Sequence, residues 1–269
     1  MPELPEVQTV LDTLNKQIKD REIIKIKILY KPIVETNEAT FKRKLIGQHF
    51  KSFKRRGKYL LFEMDDITLV SHLRMEGKYF ILDDTYPINK HDHVIFYLDD
   101  GKQLRYNDVR KFGRMELIEK NDNYDDFKDL GPEPFDKRFN LAYCKDYLKN
   151  KKIPIKQVLL EQSFVAGIGN IYADEILFAI KVNPLRDANK LKDEEILSLI
   201  DNTRKILKKA IKAGGTTIRS YTSSLGVSGR FQLSLNVHTK DNCPICNSDI
   251  KKIKVSGRGT YYCPKCQKK

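Results

Sequence analysis

Leu160-Glu-Gln-Ser-Phe-Val-Ala-Gly-Ile-Gly-Asn170-Ile-Tyr-Ala-Asp-Glu175 reads as the end of one helix, a glycine turn and the start of a second helix. Gly167 and Gly169 lack the Cβ that resists a tight reversal. A helix start preceded by glycines offers unpaired backbone N–H groups, a natural seat for a phosphate. An ordinary helix hairpin would use the same residues. Asn170 fits either case as the cap of the second helix.

Outward from this turn the chain changes character twice. After Gly131-Pro132-Glu133-Pro134 the periodicity is helical, with helices expected over 138–149, 155–162, 170–181 and 191–213. The last has a long apolar face of Leu191, Ile196, Leu199, Ile200, Thr203, Leu207 and Ile211, and Gly214-Gly215 stops it. Residues 214–236 hold no acid and only Arg219 and Arg230 as charges, among Ser, Thr and Gly, which predicts a mobile loop. Before residue 120 the pattern is short strands, at 58–64, 67–73, 77–82, 93–98, 102–106 and 114–119, with a hairpin turn at Asp100-Gly101. Ile24, Ile26, Ile28 and Tyr30 alternate as in a half-buried strand, and Val7, Val10, Leu11, Leu14 and Ile18 mark a helix over 5–19. The expected fold is α+β in two parts: an N-terminal β-sandwich or barrel and a C-terminal helical part.

Four of the five cysteines form Cys243-Pro-Ile-Cys246 and, sixteen residues on, Cys263-Pro-Lys-Cys266. Two C-x-x-C pairs at this separation suit one tetrahedral, closed and therefore structural zinc ion, held at the base of a two-stranded ribbon. Two disulfides are the alternative, disfavoured in a reducing compartment. Cys144 stands alone and reads as a small buried hydrophobe. The 269 residues carry 50 Lys+Arg against 36 Asp+Glu, a net +14. That excess suits a polyanionic partner, or mere lysine-rich composition. Lys51-Ser-Phe-Lys-Arg-Arg-Gly-Lys58 holds five cations in eight residues, and residues 236–269 hold eight against two acids. Either run could be a solvated face, but interleaved Phe53 and Tyr59 favour nucleic acid. No apolar run is long enough for a transmembrane helix and no secretory signal is visible, so the expected location is cytoplasmic.

The N-terminal Met1-Pro2-Glu3-Leu4-Pro5-Glu6 carries a possible nucleophile. Removal of Met1 would free the secondary amine of Pro2, and an α-amine titrates far below a lysine. Its neutral form can attack an electrophilic carbon and give an iminium, with Glu3 as proton donor. Alternatively, Pro2 is a tolerated terminal proline, and Glu3 and Glu6 favour the positive end of the first helix.

Taken in order, Pro2-Glu3-Leu4-Pro5-Glu6, Gly-Lys58-Tyr-Leu, Ser71-His72-Leu-Arg-Met75-Glu-Gly77, Lys90-His91-Asp92-His93, Asp108-Val-Arg110-Lys-Phe112-Gly113, Gly131-Pro-Glu-Pro134, Gly167-Ile-Gly-Asn170-Ile-Tyr and Gly257-Arg258-Gly-Thr260…Cys-Pro-x-Cys-Gln267 resemble the bacterial formamidopyrimidine-DNA glycosylases. The resemblance runs from residue 2 to the C-terminus, in motifs chemically unrelated to one another. It implies a catalytic β-sandwich domain flanked by helices (1–133), a helix–two-turn–helix domain with a lesion-capping loop (134–235) and a four-cysteine β-hairpin zinc finger (236–269).

It also implies a bifunctional base-excision enzyme, a monomer acting on double-stranded DNA that holds oxidised purines or abasic sites. It would contact no membrane and carry one structural Zn²⁺ on Cys243, Cys246, Cys263 and Cys266. Pro2 would be the nucleophile and Glu3 the acid for sugar ring opening. Lys58 would be the proton donor for β-elimination. Arg258 would serve δ-elimination and grip a phosphate; a guanidinium stays protonated, so the grip is the better chemistry. Met75, Arg110 and Phe112 would fill the gap left by the extruded base: apolar wedges, and a donor for the orphaned partner. Core packing is the alternative for Met75 and Phe112. His91, Lys151 and Asn170 carry over as DNA contacts, with His72 and Lys156 as weaker matches. Two rivals remain: the sister glycosylase for oxidised pyrimidines, of the endonuclease VIII type, and a non-catalytic zinc-ribbon DNA-binding protein.

Overall fold

The structure, a computed structural model, describes residues 1–119, 129–216 and 229–268. The chain divides into two compact units, Met1–Tyr124 with Gly214–Gly229, and Asp125–Ala213 with Arg230–Lys269.

In the first unit the elements are α1 (Leu4–Ile18), β1 (Ile23–Ile28), α2 (Glu38–Leu45), β2 (Ser52–Arg56), β3 (Tyr59–Glu63), β4 (Ile67–His72), β5 (Lys78–Asp83), β6 (Asp92–Leu98), β7 (Lys102–Asn107) and β8 (Arg114–Glu119). They build two antiparallel four-stranded sheets, ordered β1-β6-β7-β5 and β2-β3-β4-β8. One apolar core joins both sheets to the helices: Phe62 and Leu69 from one sheet, Phe96 and Leu104 from the other, Val10 and Leu14 from α1, Phe41 and Leu45 from α2. Burying each such side chain is worth about 1.5–3 kcal/mol. This is the expected sandwich flanked by helices.

Three local readings change. Ile24 was expected inside, yet it is exposed, while Ile23 is buried. A register shift between Ile23 and Lys25 against β6 turns the strand over at that point. The basic run at 51–58 hides β2, whose Phe53 packs against the core while Lys54 is exposed. The helix α2 spans only two turns, too short for a clear helical period in the sequence. Its signals are Asn37, whose Oδ1 accepts from the N–H of Ala39 and Thr40 at 3.0 and 3.3 Å, and the i,i+4 pair Phe41 and Leu45.

The second unit holds α3 (Leu141–Leu148), α4 (Ile155–Leu160), α5 (Asn170–Ala179), α6 (Asp193–Lys212) and the hairpin β9 (Lys251–Val255) and β10 (Arg258–Tyr262). Gln162 clips the glycine turn. Its Oε1 accepts from the Gly167 N–H at 2.9 Å, and its Nε2 donates to the Ile168 carbonyl at 2.8 Å. Gly167 has φ +95°, the left-handed region that suits glycine. The cap of α5 is Gly169 rather than Asn170, whose side chain is used elsewhere. Cys144 is fully buried, and burial pushes its thiol up to about 12, as an inert core residue requires. Among the described residues no helix is long and apolar enough to cross a membrane.

Candidate active site and nucleic-acid interface

Pro5, in the first turn of α1, has no N–H to lose at a helix start, so the N-terminal stretch can fold directly into α1. Pro2, Glu3 and Glu6 are all buried. Glu6 Oε2 accepts from the Glu3 N–H at 2.9 Å, closing half of a capping box. Its other oxygen accepts from the backbone N–H and the hydroxyl of Thr216, at 2.8 and 3.0 Å. Gly215 makes this approach possible: a Cβ there would lie 2.8 Å from Glu6 Oε1. The extended Glu3 cap of α1 and residue Thr216 after α6 are thus held by one carboxylate. The expected lesion-capping loop, 214–236, lies outside the described residues from 217 to 228; within that span Phe231–Ser234 form a single 3-10 turn.

Lys58 follows the left-handed Gly57 at the turn between β2 and β3 and is 5% exposed. His72, at the end of β4, meets Tyr59 edge-on with centroids 4.5 Å apart. Its Nδ1 accepts from the Arg74 N–H at 2.9 Å, so the ring is neutral with its proton on Nε2. Burial first, then the charges of Arg74 and Lys58, hold it down to about 3. The native state therefore resists a proton that the unfolded chain accepts below about pH 6.5. Stability present above that pH is lost as pH falls towards 3. In His72→Gln the stability difference between pH 7 and pH 4.5, read from urea unfolding, should shrink by about 2 kcal/mol. An unchanged difference would refute the neutral buried ring.

The three wedge candidates occupy two turns of the same unit. Met75 lies half-buried between β4 and β5, after Arg74 at φ +50°. Arg110 and Phe112 flank Lys111, at φ +59°, between β7 and β8. Phe112 is 47% exposed, with the Arg110 guanidinium 4.7 Å from its ring centroid. An exposed aromatic under a stacked guanidinium is not a core residue, which removes core packing as the account of Phe112. His91 begins the approach to β6, and its carbonyl accepts from the Asp108 N–H at 3.0 Å.

In the second unit, Asn170 Nδ2 donates to the Gly259 carbonyl of β10 at 2.9 Å. Lys156, expected among the DNA contacts, has a side chain with no exposure at all. Its ammonium pairs with Asp174 Oδ1 at 2.6 Å and donates to Thr260 Oγ1 at 2.8 Å and the Gly259 carbonyl at 3.3 Å. Enclosed in this way it is a strut binding α4, α5 and β10 together. Asp174 Oδ2 also meets His238 Nδ1 at 2.7 Å, and Glu175 accepts from the N–H groups of Asn236, Val237 and His238 at 2.8–2.9 Å. The sequence signal for these two acids is a pair of carboxylates inside the apolar run of α5, which buried structure must satisfy. Lys151 is half-buried, paired with Glu161 at 2.9 Å and set over the Tyr147 ring, and the Glu161 bond raises its pKa. Arg258 is exposed directly after the Ser256-Gly257 turn, whose two positive φ values (48° and 74°) make a tight hairpin.

The four expected ligand sulfurs lie within 4.8 Å of one another. Cys243 and Cys266 are 3.8 Å apart and Cys246 and Cys263 3.5 Å. A tetrahedron with Zn–S bonds of about 2.3 Å has edges of about 3.8 Å. The set fits zinc, and all four cysteines are free of disulfides. The sulfurs form the centre of a small cluster with Phe178, Val237, Ile250 and Tyr261, which the metal would close.

Family models match along the whole chain: the formamidopyrimidine-DNA glycosylase N-terminal domain over residues 1–115, its H2TH domain over 130–222, and the zinc finger found in FPG and IleRS over 241–269. The formamidopyrimidine-DNA glycosylase of Ligilactobacillus salivarius is 48% identical over 99% of both chains. That of Streptococcus mutans is 47% identical over the full length of both. The chain belongs to the formamidopyrimidine-DNA glycosylase family. Among solved structures, a Lactococcus lactis FPG mutant in complex with Fapy-dG-containing DNA matches over both full chains at 44% identity and TM-score 0.95. A Lactococcus lactis Fpg complex with abasic-site DNA matches over 99% of this chain at 45% identity and TM-score 0.94. As a formamidopyrimidine-DNA glycosylase the chain is a DNA-repair enzyme with a zinc finger, which sets aside the non-catalytic zinc-ribbon reading.

Proposed function

We propose that this family member is a bifunctional glycosylase and abasic-site lyase that removes oxidised purines, 8-oxoguanine and formamidopyrimidines, from double-stranded DNA. The buried Pro2-Glu3 segment, braced by Glu6, is the observation that carries the reading. Enclosure keeps water from the covalent intermediate. Removal of Met1 frees the Pro2 α-amine as the nucleophile. The Pro2 nitrogen lone pair forms a bond to the sugar C1′ as the glycosidic bond breaks; the base leaves with the glycosidic bonding pair and takes up a proton, and the Pro2 nitrogen gives up its N–H proton, which restores a lone pair on it. Glu3 protonates the ring oxygen, which opens the sugar to an iminium on Pro2. Loss of a C2′ proton then expels the 3′ phosphate, and a second elimination expels the 5′ phosphate, leaving a one-nucleotide gap. Lys58 serves the first elimination.

Arg258, Asn170 and Lys151 hold phosphates from the second unit; His91 does so from the first. Lys156 acts through Asn170 and the finger. Met75, Arg110 and Phe112 fill the gap of the extruded base. The protein works as a monomer, in the cytoplasm, on chromosomal DNA. Cleavage of duplexes with 8-oxoguanine opposite cytosine should exceed cleavage of thymine-glycol duplexes. A preference for thymine glycol would instead assign the chain to oxidised pyrimidines.

A further inference from the structure

The two turns that carry Met75, Arg110 and Phe112 meet on a single buried pair, Asp108 and Tyr106. Asp108 is fully enclosed and every polar atom it has is engaged. Its Oδ1 accepts from the Arg110 N–H at 3.0 Å, and its Oδ2 from the N–H groups of Phe112 at 2.9 Å and Gly113 at 2.8 Å. Its carbonyl meets His93 Nε2 at 2.7 Å, and its own N–H donates to the His91 carbonyl at 3.0 Å. Tyr106 donates its hydroxyl to Asp108 Oδ2 at 3.5 Å. That hydroxyl fills the space where two glycines lack a side chain. A Cβ on Gly77 would lie 2.3 Å from the Tyr106 oxygen, and one on Gly113 1.6 Å from it. Gly77 closes the Met75 turn and Gly113 closes the Phe112 turn. Their missing side chains let one phenol hold both turns in register.

We propose that Asp108, with Tyr106, is the positioning residue of the wedge: it fixes Arg110 and Phe112 in the conformation that enters the duplex, and joins them to Met75 and to His91. The proposal rests on the reading of Met75, Arg110 and Phe112 as gap-filling side chains. Left-handed Lys111 places the two wedge residues on either side of a reversal. A short exposed segment would sample many conformations without an internal tether. Three N–H groups converging on one carboxylate supply it, since a carboxylate only accepts. An amide at that place must point an NH₂ at one or two of those N–H groups, whichever way it turns.

The test compares single-turnover rates on three substrates: 8-oxoguanine paired in a duplex, the same lesion inside an unpaired bubble, and a preformed abasic site. Asp108→Asn should slow excision from the paired duplex about tenfold or more. It should approach the wild-type rate on the bubble, where nothing has to be pried out, and nick the abasic site within about threefold of wild type. Tyr106→Phe keeps the ring in place, so it carries the test even if Asp108→Asn folds poorly. It should show a smaller loss, about two- to fivefold, with the same recovery on the bubble. Parallel losses on all three substrates, or wild-type rates on the paired duplex for both variants, would overturn the proposal. Phe112→Ala tells the two failures apart: if it excises the paired lesion at the wild-type rate, the wedge reading is at fault.

Discussion

Blocking the Pro2 nitrogen should end catalysis. If a bulky residue is inserted between Met1 and Pro2, so that the initiator methionine is retained, that nitrogen stays in an amide. An amide lone pair is delocalised and cannot add to a sugar carbon. Lesion excision and abasic-site nicking should both fall roughly 10⁴-fold or more, the scale seen when a covalent nucleophile is lost. Duplex affinity should change by less than about tenfold, because the DNA-contact residues proposed above, Arg258, Asn170, His91 and Arg110, lie elsewhere in the chain. Glu3→Gln gives a graded companion: the nucleophile remains and only the ring-opening acid is lost. Excision should drop about 10²–10⁴-fold, the usual yield of general acid catalysis. An N-terminally extended enzyme that excises 8-oxoguanine at an undiminished rate would remove Pro2 from the chemistry.

Loss of zinc should have the second large effect, on binding instead of chemistry. The finger has a small apolar cluster shared with Phe178 of α5, in which two of the four buried members are the expected ligands Cys243 and Cys263. A cluster this small cannot hold a hairpin without the metal, whose binding energy is in effect folding energy. Chelation, or Cys246→Ser, should therefore lower duplex affinity about a hundredfold or more, measured by fluorescence anisotropy. Arg258 would lose its fixed place, and the Gly259 carbonyl that Asn170 and Lys156 share would move away. The preference among lesions should stay, because the proposed wedge residues and the Pro2-Glu3 segment belong to the first unit. Unchanged affinity in a verified zinc-free protein would show that the finger is dispensable.

Long periodic segments and punctuating residues were the legible part of the fold. The apolar stripe of α6, the short strand runs of β6 and β7 and the Asp100-Gly101 turn each rest on local rules that a sequence displays. The C-x-x-C pairs were legible because metal chemistry demands that spacing. What stayed hidden depends on distant partners. Ile23 and Ile24 exchange faces because of a register shift set by β6. Lys156 looks like any basic residue until α5 and β10 enclose it with Asp174. Asp108 stood in a quoted motif without a role, since its value lies in three N–H groups that converge only after the turn closes.

The central claim is that the Pro2 nitrogen becomes covalently joined to the sugar of the damaged nucleotide. Incubating the mature enzyme with an 8-oxoguanine duplex and borohydride reduces the iminium to a stable amine, and peptide mass mapping then locates it. The account predicts one protein–DNA adduct, on the N-terminal peptide at Pro2. An adduct on Lys58 or another lysine, or none, would contradict it.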